Sequence, residues 1–328
     1  MVAAALAGCL AAGLAGEQAT PRSDALALRG FSDSSLGRIA LHVPGDYSAT
    51  AATFLQETAA SVALALTTRF GPVDPAPFQL VVVESRAQLQ DWLGHALPRW
   101  IHAVASEHPP RVVILGPDLS GRDPASQRFE MTLFHELAHI YLYRLPSGRE
   151  GESLPGWFHE GLAVYVSGGL DRGMHQALIR GRVTGKYYAL AELRRIYHTS
   201  PALSQLAYAQ SLLAIQSMEE FYGDGVFREL FDSLRRGASF AEAFGTVAGV
   251  TPPQFQDRYQ QALRQRYNPL MIITDPGAVF ILLPLLLLVA YFVRQRRNRA
   301  IRARWLTEGE TGWESETGGR PGDHDAET

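Results

Sequence analysis

Residues 134–140 read FHELAHI, and in a helix the positions i and i+4 stack on one face, so His135 and His139 can aim their imidazoles at one point. Two such imidazoles are half of a metal site. Zinc takes a third protein ligand and keeps a position open, where it polarises a carbonyl and lowers the pKa of a water to about 7. Glu136, beside the first histidine, can then act as the base that moves the water's proton to a leaving amine. The histidines lie off the apolar stripe Phe129, Leu133, Leu137 and Ile140, so the stripe gives them no role in the core.

A second motif, WFHEGLAVY, begins eighteen residues beyond His139, after the turn Pro155-Gly156. It places Glu160 at the start of another helix, and the loop between is long enough to fold that helix back across the first. A carboxylate there can complete a His-His-Glu site, and Gly161 lets two helices approach closely. His159 is the competing third ligand. Neighbouring residues on a helix point about 100° apart, so His159 and Glu160 do not readily face the same ion.

Taken together, HELAH, LPGWFHEGLAVY and YAQSLLAIQSMEEFYG resemble the gluzincin metallopeptidases, in particular the small peptidase MA-like group, over residues 37–266. The resemblance implies zinc bound by His135, His139 and Glu160, with Glu136 as catalytic base, Trp157 and Gly161 framing the second motif, and a peptide or protein as substrate. It also marks departures. The position four residues after the glutamate, an aspartate in thermolysin-like enzymes, is Val164, and RVVILGPDLSG lacks the glutamate with which aminopeptidase N-like enzymes anchor a free amine. The first departure removes a supporting group; the second implies endopeptidase rather than aminopeptidase action. Tyr208, at the start of the helix after the site, is the candidate for stabilising an oxyanion, with Tyr187 and Tyr188 as competitors. The strand RVVIL is expected to be the sheet edge along which a substrate adds.

The elements that must position these groups are those of an α+β, zincin-like domain over 26–268. Its first part, 26–118, is mixed: GRIALHV (37–43), FQLVVVE (78–84) and PRVVILG (110–116) read as strands, with a helix between the first two that stops at Gly71 and a short one after the second. Its second part, 119–268, reads as helical and holds the zinc site. One helix starts at Asp123-Pro124 and ends at Leu145-Pro146, one is closed by Gly168-Gly169, and a long one covers 204–223. Two later helices start at the capping boxes Ser239-x-x-Glu242 and Thr251-x-x-Gln254.

The chain has 328 residues, 46% of them apolar, and a formal net charge of -3, which supplies no global basic field for nucleic acid. Its single cysteine, Cys9, excludes intramolecular disulfides and cysteine-ligated zinc. Residues 1–20 resemble a secretory signal or N-terminal targeting segment. The uncharged run Gly277 to Val293 would extend about 26 Å as a helix, so a transmembrane helix is expected over 273–293. The arginine-rich stretch that follows sets the orientation, with the folded domain outside and residues 294–328 forming a cytoplasmic basic, then acidic and disordered tail. Arg128, Glu130 and Arg144 flank the histidine motif on its own helix, which argues against an intramembrane protease. A catalytically silent, zincin-like scaffold at the membrane is the alternative to the enzyme. The oligomeric state is not legible.

Overall fold

The computed structural model describes residues 26–116, 124–146, 153–267, 283–284 and 286–300. They fall into two units, Met1–Tyr267 and Asn268–Thr328.

In the first unit the described strands form a five-stranded sheet in the order β1-β2-β3-β5-β4, with β1 Leu26–Ser34, β2 Gly37–Pro44, β3 Phe78–Val83, β4 Ala103–Ser106 and β5 Arg111–Leu115. The pairs β2–β3 and β3–β5 are parallel, and each outer strand is antiparallel to its neighbour. β3 is buried on both faces. Leu80 and Val82 face the main core while Val81 and Val83 face a smaller one, as a period of two requires of a central strand.

This order corrects the expected edge. RVVIL is β5 and lies between β3 and β4, so its hydrogen-bonding groups are taken on both sides; the edge strands are β1 and, beyond β5, β4 (AVAS). Neither β4 nor β1 stands out in the sequence. β4 is four residues long and half alanine, and β1 contains Gly30, where its register with β2 slips. The loop entering β4 is held by one guanidinium: Arg86 donates to the carbonyls of Pro98 and Ile101, 2.9 Å each, and to that of Arg99.

α1 (Ala49–Phe70) starts on the Ser48 cap and stops at Gly71, whose φ of 94° suits glycine. α2 (Arg86–Leu93) packs on the smaller core through Leu89. α3 (Pro124–Tyr143) carries the histidine motif, and its stripe of Phe129, Leu133, Leu137 and Ile140 is buried as the periodicity predicts. The part of α3 that bears His135 and His139 is buried as well, where α4 (Gly156–Ser167) packs against it. The far end of α3 is fixed by the buried Tyr141 hydroxyl, 3.1 Å from the carbonyls of both Phe70 and Gly71.

The remainder of the unit is helical: α5 (Arg172–Thr184), a 3-10 turn at Leu190–Arg195, α6 (Pro201–Tyr222), α7 (Val226–Arg235), α8 (Phe240–Ala248) and α9 (Pro252–Arg266). Both expected capping boxes form, Ser239 with Glu242 and Thr251 with Gln254. α4 is locked into this layer by Trp157, stacked 6.0 Å from Phe255, and by Phe158, 5.1 Å from Phe240.

In the second unit, residues 286–300 are helical and expose Leu286, Leu287, Val289 and Phe292. Among the described residues no helix is long and apolar enough to cross a membrane. About half of the expected span 273–293 lies outside the described residues. The N-terminal segment 1–20, the Asp123 cap and the tail from 301 lie wholly outside them.

Candidate metal centre

α3 presents His135 and His139 on one face, with ring centroids 4.9 Å apart, and α4 crosses that face at Glu160. Glu160 Oε2 lies 3.6 Å from His135 Nε2 and 3.7 Å from His139 Nε2. One donor atom from each of the three falls within 4.8 Å of the others. A tetrahedral ion with bonds of about 2.0–2.1 Å sets its ligands roughly 3.4 Å apart, so the spacing fits such an ion with little adjustment. Both Nε2 atoms are buried with no hydrogen-bond partner in the protein, an arrangement that is costly unless something else satisfies them. The donor set of two imidazoles and one carboxylate fits zinc.

Electrostatics prepares the imidazoles for that role. Burial holds His135 down to about 3. His139 is held down to about 3 by burial first, with His135 and His159 adding to the effect and the Glu160 charge opposing it. Both rings are therefore neutral at physiological pH, the form that binds metal.

Glu136 is fully buried and neither of its oxygens has a hydrogen-bond partner. Its pKa is raised well above the carboxylate range, by burial first and the Glu160 charge second. The Ala105 amide of β4 opposes this by proximity, without completing a hydrogen bond. The base candidate thus sits between the donor cluster and the true sheet edge. All four groups are deep in the protein: His135 is 5% exposed, Glu160 2%, and Glu136 and His139 0%.

His159 does not join the donors. Its ring stacks on the far side of His139, 5.8 Å away and 19° from parallel, and lies 5.3 Å from Tyr143. The 100° step between adjacent helical residues separates it from Glu160 as expected. Tyr208 does reach the site, its ring 6.4 Å from that of His135. Tyr187 commits its hydroxyl to the Leu178 carbonyl at 2.9 Å, and the backbone of Tyr188 is clipped to the Gln210 side chain, 3.2 and 3.0 Å. Sequence reasoning passed over Tyr197 and Ser211. Their hydroxyls are 2.6 Å apart and buried, and the Tyr197 ring is 5.0 Å from that of Tyr208. Tyr197 stands in the connection into α6, where no periodicity singles it out.

Gly161 explains how closely α4 lies on α6. A Cβ built there would be 2.7 Å from Ile215 Cγ1 and 2.8 Å from the Ser211 carbonyl carbon, and closer still to the carbonyl oxygen. No residue with a side chain fits without moving a helix.

The profile of the Peptidase MA superfamily matches residues 58–265, which takes in α3, α4 and α6 together. The chain belongs to the Peptidase MA superfamily. Among solved structures, this peptidase MA chain is similar to an aminopeptidase N family protein from Idiomarina loihiensis, with 14% identity and a TM-score of 0.43 over 70% of this chain and 46% of that one. It is similar to Legionella pneumophila aminopeptidase A in complex with aspartic acid, with 12% identity and a TM-score of 0.42 over 70% of this chain and 27% of that one. A third is an M1 zinc metallopeptidase from Deinococcus radiodurans bound to a Tyr-Ser-Ala substrate, with 14% identity and a TM-score of 0.37 over 74% and 51% of the two chains. The chain spans about half or less of the length of these proteins. No curated protein matches it.

Proposed function

We propose that the chain is a zinc-dependent endopeptidase in which His135, His139 and Glu160 hold the metal and Glu136 is the general base. The observation that carries this reading is the convergence of the three donors within 4.8 Å, with the unpartnered carboxylate of Glu136 next to them on the helix of the two histidines. When bound, zinc supplies Lewis-acid polarisation of a carbonyl and a more acidic water. Glu136 takes up the water's proton and returns it to the leaving amine. Tyr208, beside His135, donates its phenolic hydrogen bond to the charge that develops on the carbonyl oxygen.

β4 aligns an extended peptide through its outward backbone groups, with Ala105 nearest to Glu136. Its residues Ala103, Val104, Ala105 and Ser106 include no carboxylate, and the next acid, Glu107, is half exposed and beside His108. A free N-terminal amine therefore has no counter-charge on this strand, which favours cleavage within a chain. The uncharged run Gly277 to Val293 and the arginines after it would anchor the domain on the outer side of a membrane as a single-pass protein. Fractionation with alkaline extraction, together with protease protection of the tail, tests that placement.

The depth of the site favours a second reading, a silent domain whose metal is structural. Metal analysis and peptide cleavage separate the two readings. The wild-type chain is expected to carry one zinc and to cut N-acetylated and free peptides alike. Glu136→Gln is expected to keep the zinc and lose at least about 10²-fold in activity. A zinc-loaded wild type without activity on a diverse peptide library would favour the silent domain, and a chain that takes up no zinc would end both readings.

A further inference from the structure

One turn beyond Glu160 on α4 stands Val164, whose side chain offers no hydrogen bond. The neighbouring helix α6 is in position to add support. The place to look is the side-chain-free contact at Gly161, where α4 rests on the backbone of Ser211. Ser211 is completely buried, and its hydroxyl is bonded to that of Tyr197 at 2.6 Å. The backbone of Tyr197 is fixed in turn, since Ser204 Oγ donates to its carbonyl. From the same ring a second arm runs to Tyr208 and on to His135.

We infer that the Tyr197–Ser211 hydroxyl pair is a positioning clamp for the metal centre, holding Glu160 through the α4–α6 contact and the Tyr208 ring through direct packing. The inference rests on the zinc reading above. The Tyr197 phenol stays protonated throughout the working range: burial pushes its pKa well above 10, and the nearby Glu160 charge adds to this while the Ser211 bond opposes it. Supporting groups of this kind fix the direction of a ligand and so its affinity for the ion.

The test uses the full chain, Zn2+ affinity by competition with a chelator, and the visible absorption of the Co2+-substituted protein. Tyr197→Phe and Ser211→Ala each remove one hydroxyl and keep the packing. Tyr259→Phe is the control: it removes another buried hydroxyl bonded to the same helix, 2.8 Å from the Gln210 carbonyl. Each of the first two variants is expected to weaken Zn2+ binding about tenfold and shift the Co2+ bands, with the double variant close to either single one. Tyr259→Phe is expected to lower thermal stability and leave both readouts unchanged. Wild-type affinity and spectra in Tyr197→Phe and Ser211→Ala, or equal losses in Tyr259→Phe, would overturn the clamp while leaving the zinc reading intact. A wild-type chain that binds no Zn2+ would overturn both.

Discussion

Gly161→Ala sets two effects of opposite sign against each other. In a helix interior alanine is favoured over glycine by about 1 kcal/mol, so propensity alone predicts a more stable protein. The added methyl, however, would sit 2.7 Å from Ile215 Cγ1 and 2.8 Å from the Ser211 carbonyl carbon, where carbon atoms prefer about 3.5–4.0 Å. Relief requires α4 and α6 to part by roughly 1 Å, and overpacking of this kind costs about 1–3 kcal/mol. The zinc-free protein should therefore lose between nothing and about 2 kcal/mol. The metal should suffer more, because Glu160 is the neighbouring residue and ligand distances tolerate only about 0.2 Å. We expect Zn2+ affinity to fall at least about tenfold by chelator competition, with a smaller change in the thermal midpoint of the apo protein. A Gly161→Ala protein that gains stability and binds Zn2+ as wild type does would refute the close-contact argument.

Other outcomes follow from the same geometry. Tyr208→Phe should lower turnover by about 10²-fold or more while Zn2+ affinity holds, the reverse of the pattern expected for Tyr197→Phe, and steady-state kinetics with metal titration separates the two. Trp157→Ala removes the ring that wedges α4 against Phe255 and should cost about 3–5 kcal/mol in urea unfolding; a loss under about 1 kcal/mol would show that α4 is held elsewhere. Zinc-free protein should be acid-labile. His135 and His139 are held down to about 3 and His159 to about 4, so below pH 6.5 the unfolded chain binds more protons than the native one and stability falls with pH. Each imidazole contributes about 1.4 kcal/mol per pH unit once well below 6.5. Glu136, with its raised pKa, works in the opposite direction above about 4.5 but is one group against three. Denaturation midpoints of apo protein that stay level between pH 7 and 5 would contradict the depth assigned to these rings.

How far the sequence could be read depended on how local the cause was. The i, i+4 histidines, the glycine stops at 71, 168 and 223 and the two capping boxes are set by neighbours a few residues apart, and each is found where the pattern puts it. The edge of the sheet is a matter of long-range pairing. β4 has little propensity of its own and forms because β5 offers a partner, so AVAS passed unnoticed and RVVIL was given its place. The stripe on α3 was read as one buried face, yet His135 and His139 are buried too, because α4 returns over them, which periodicity within one helix does not reveal. Tyr197 was missed for the same reason: its partners Ser211 and Tyr208 lie on α6, and the residues around it in sequence carry no trace of them.

The brevity of β4 has a consequence for recognition. In an antiparallel pair every second residue turns its amide and carbonyl away from the neighbouring strand, so four residues present outward groups from only two of them. An incoming polypeptide would thus be gripped along its main chain by a handful of bonds, enough to orient it but too few to retain it. Discrimination between sequences, and residence time, would fall to whatever side-chain pockets flank that short ladder. Inhibitors that rely on mimicking a strand should accordingly gain less here than those that reach for the metal.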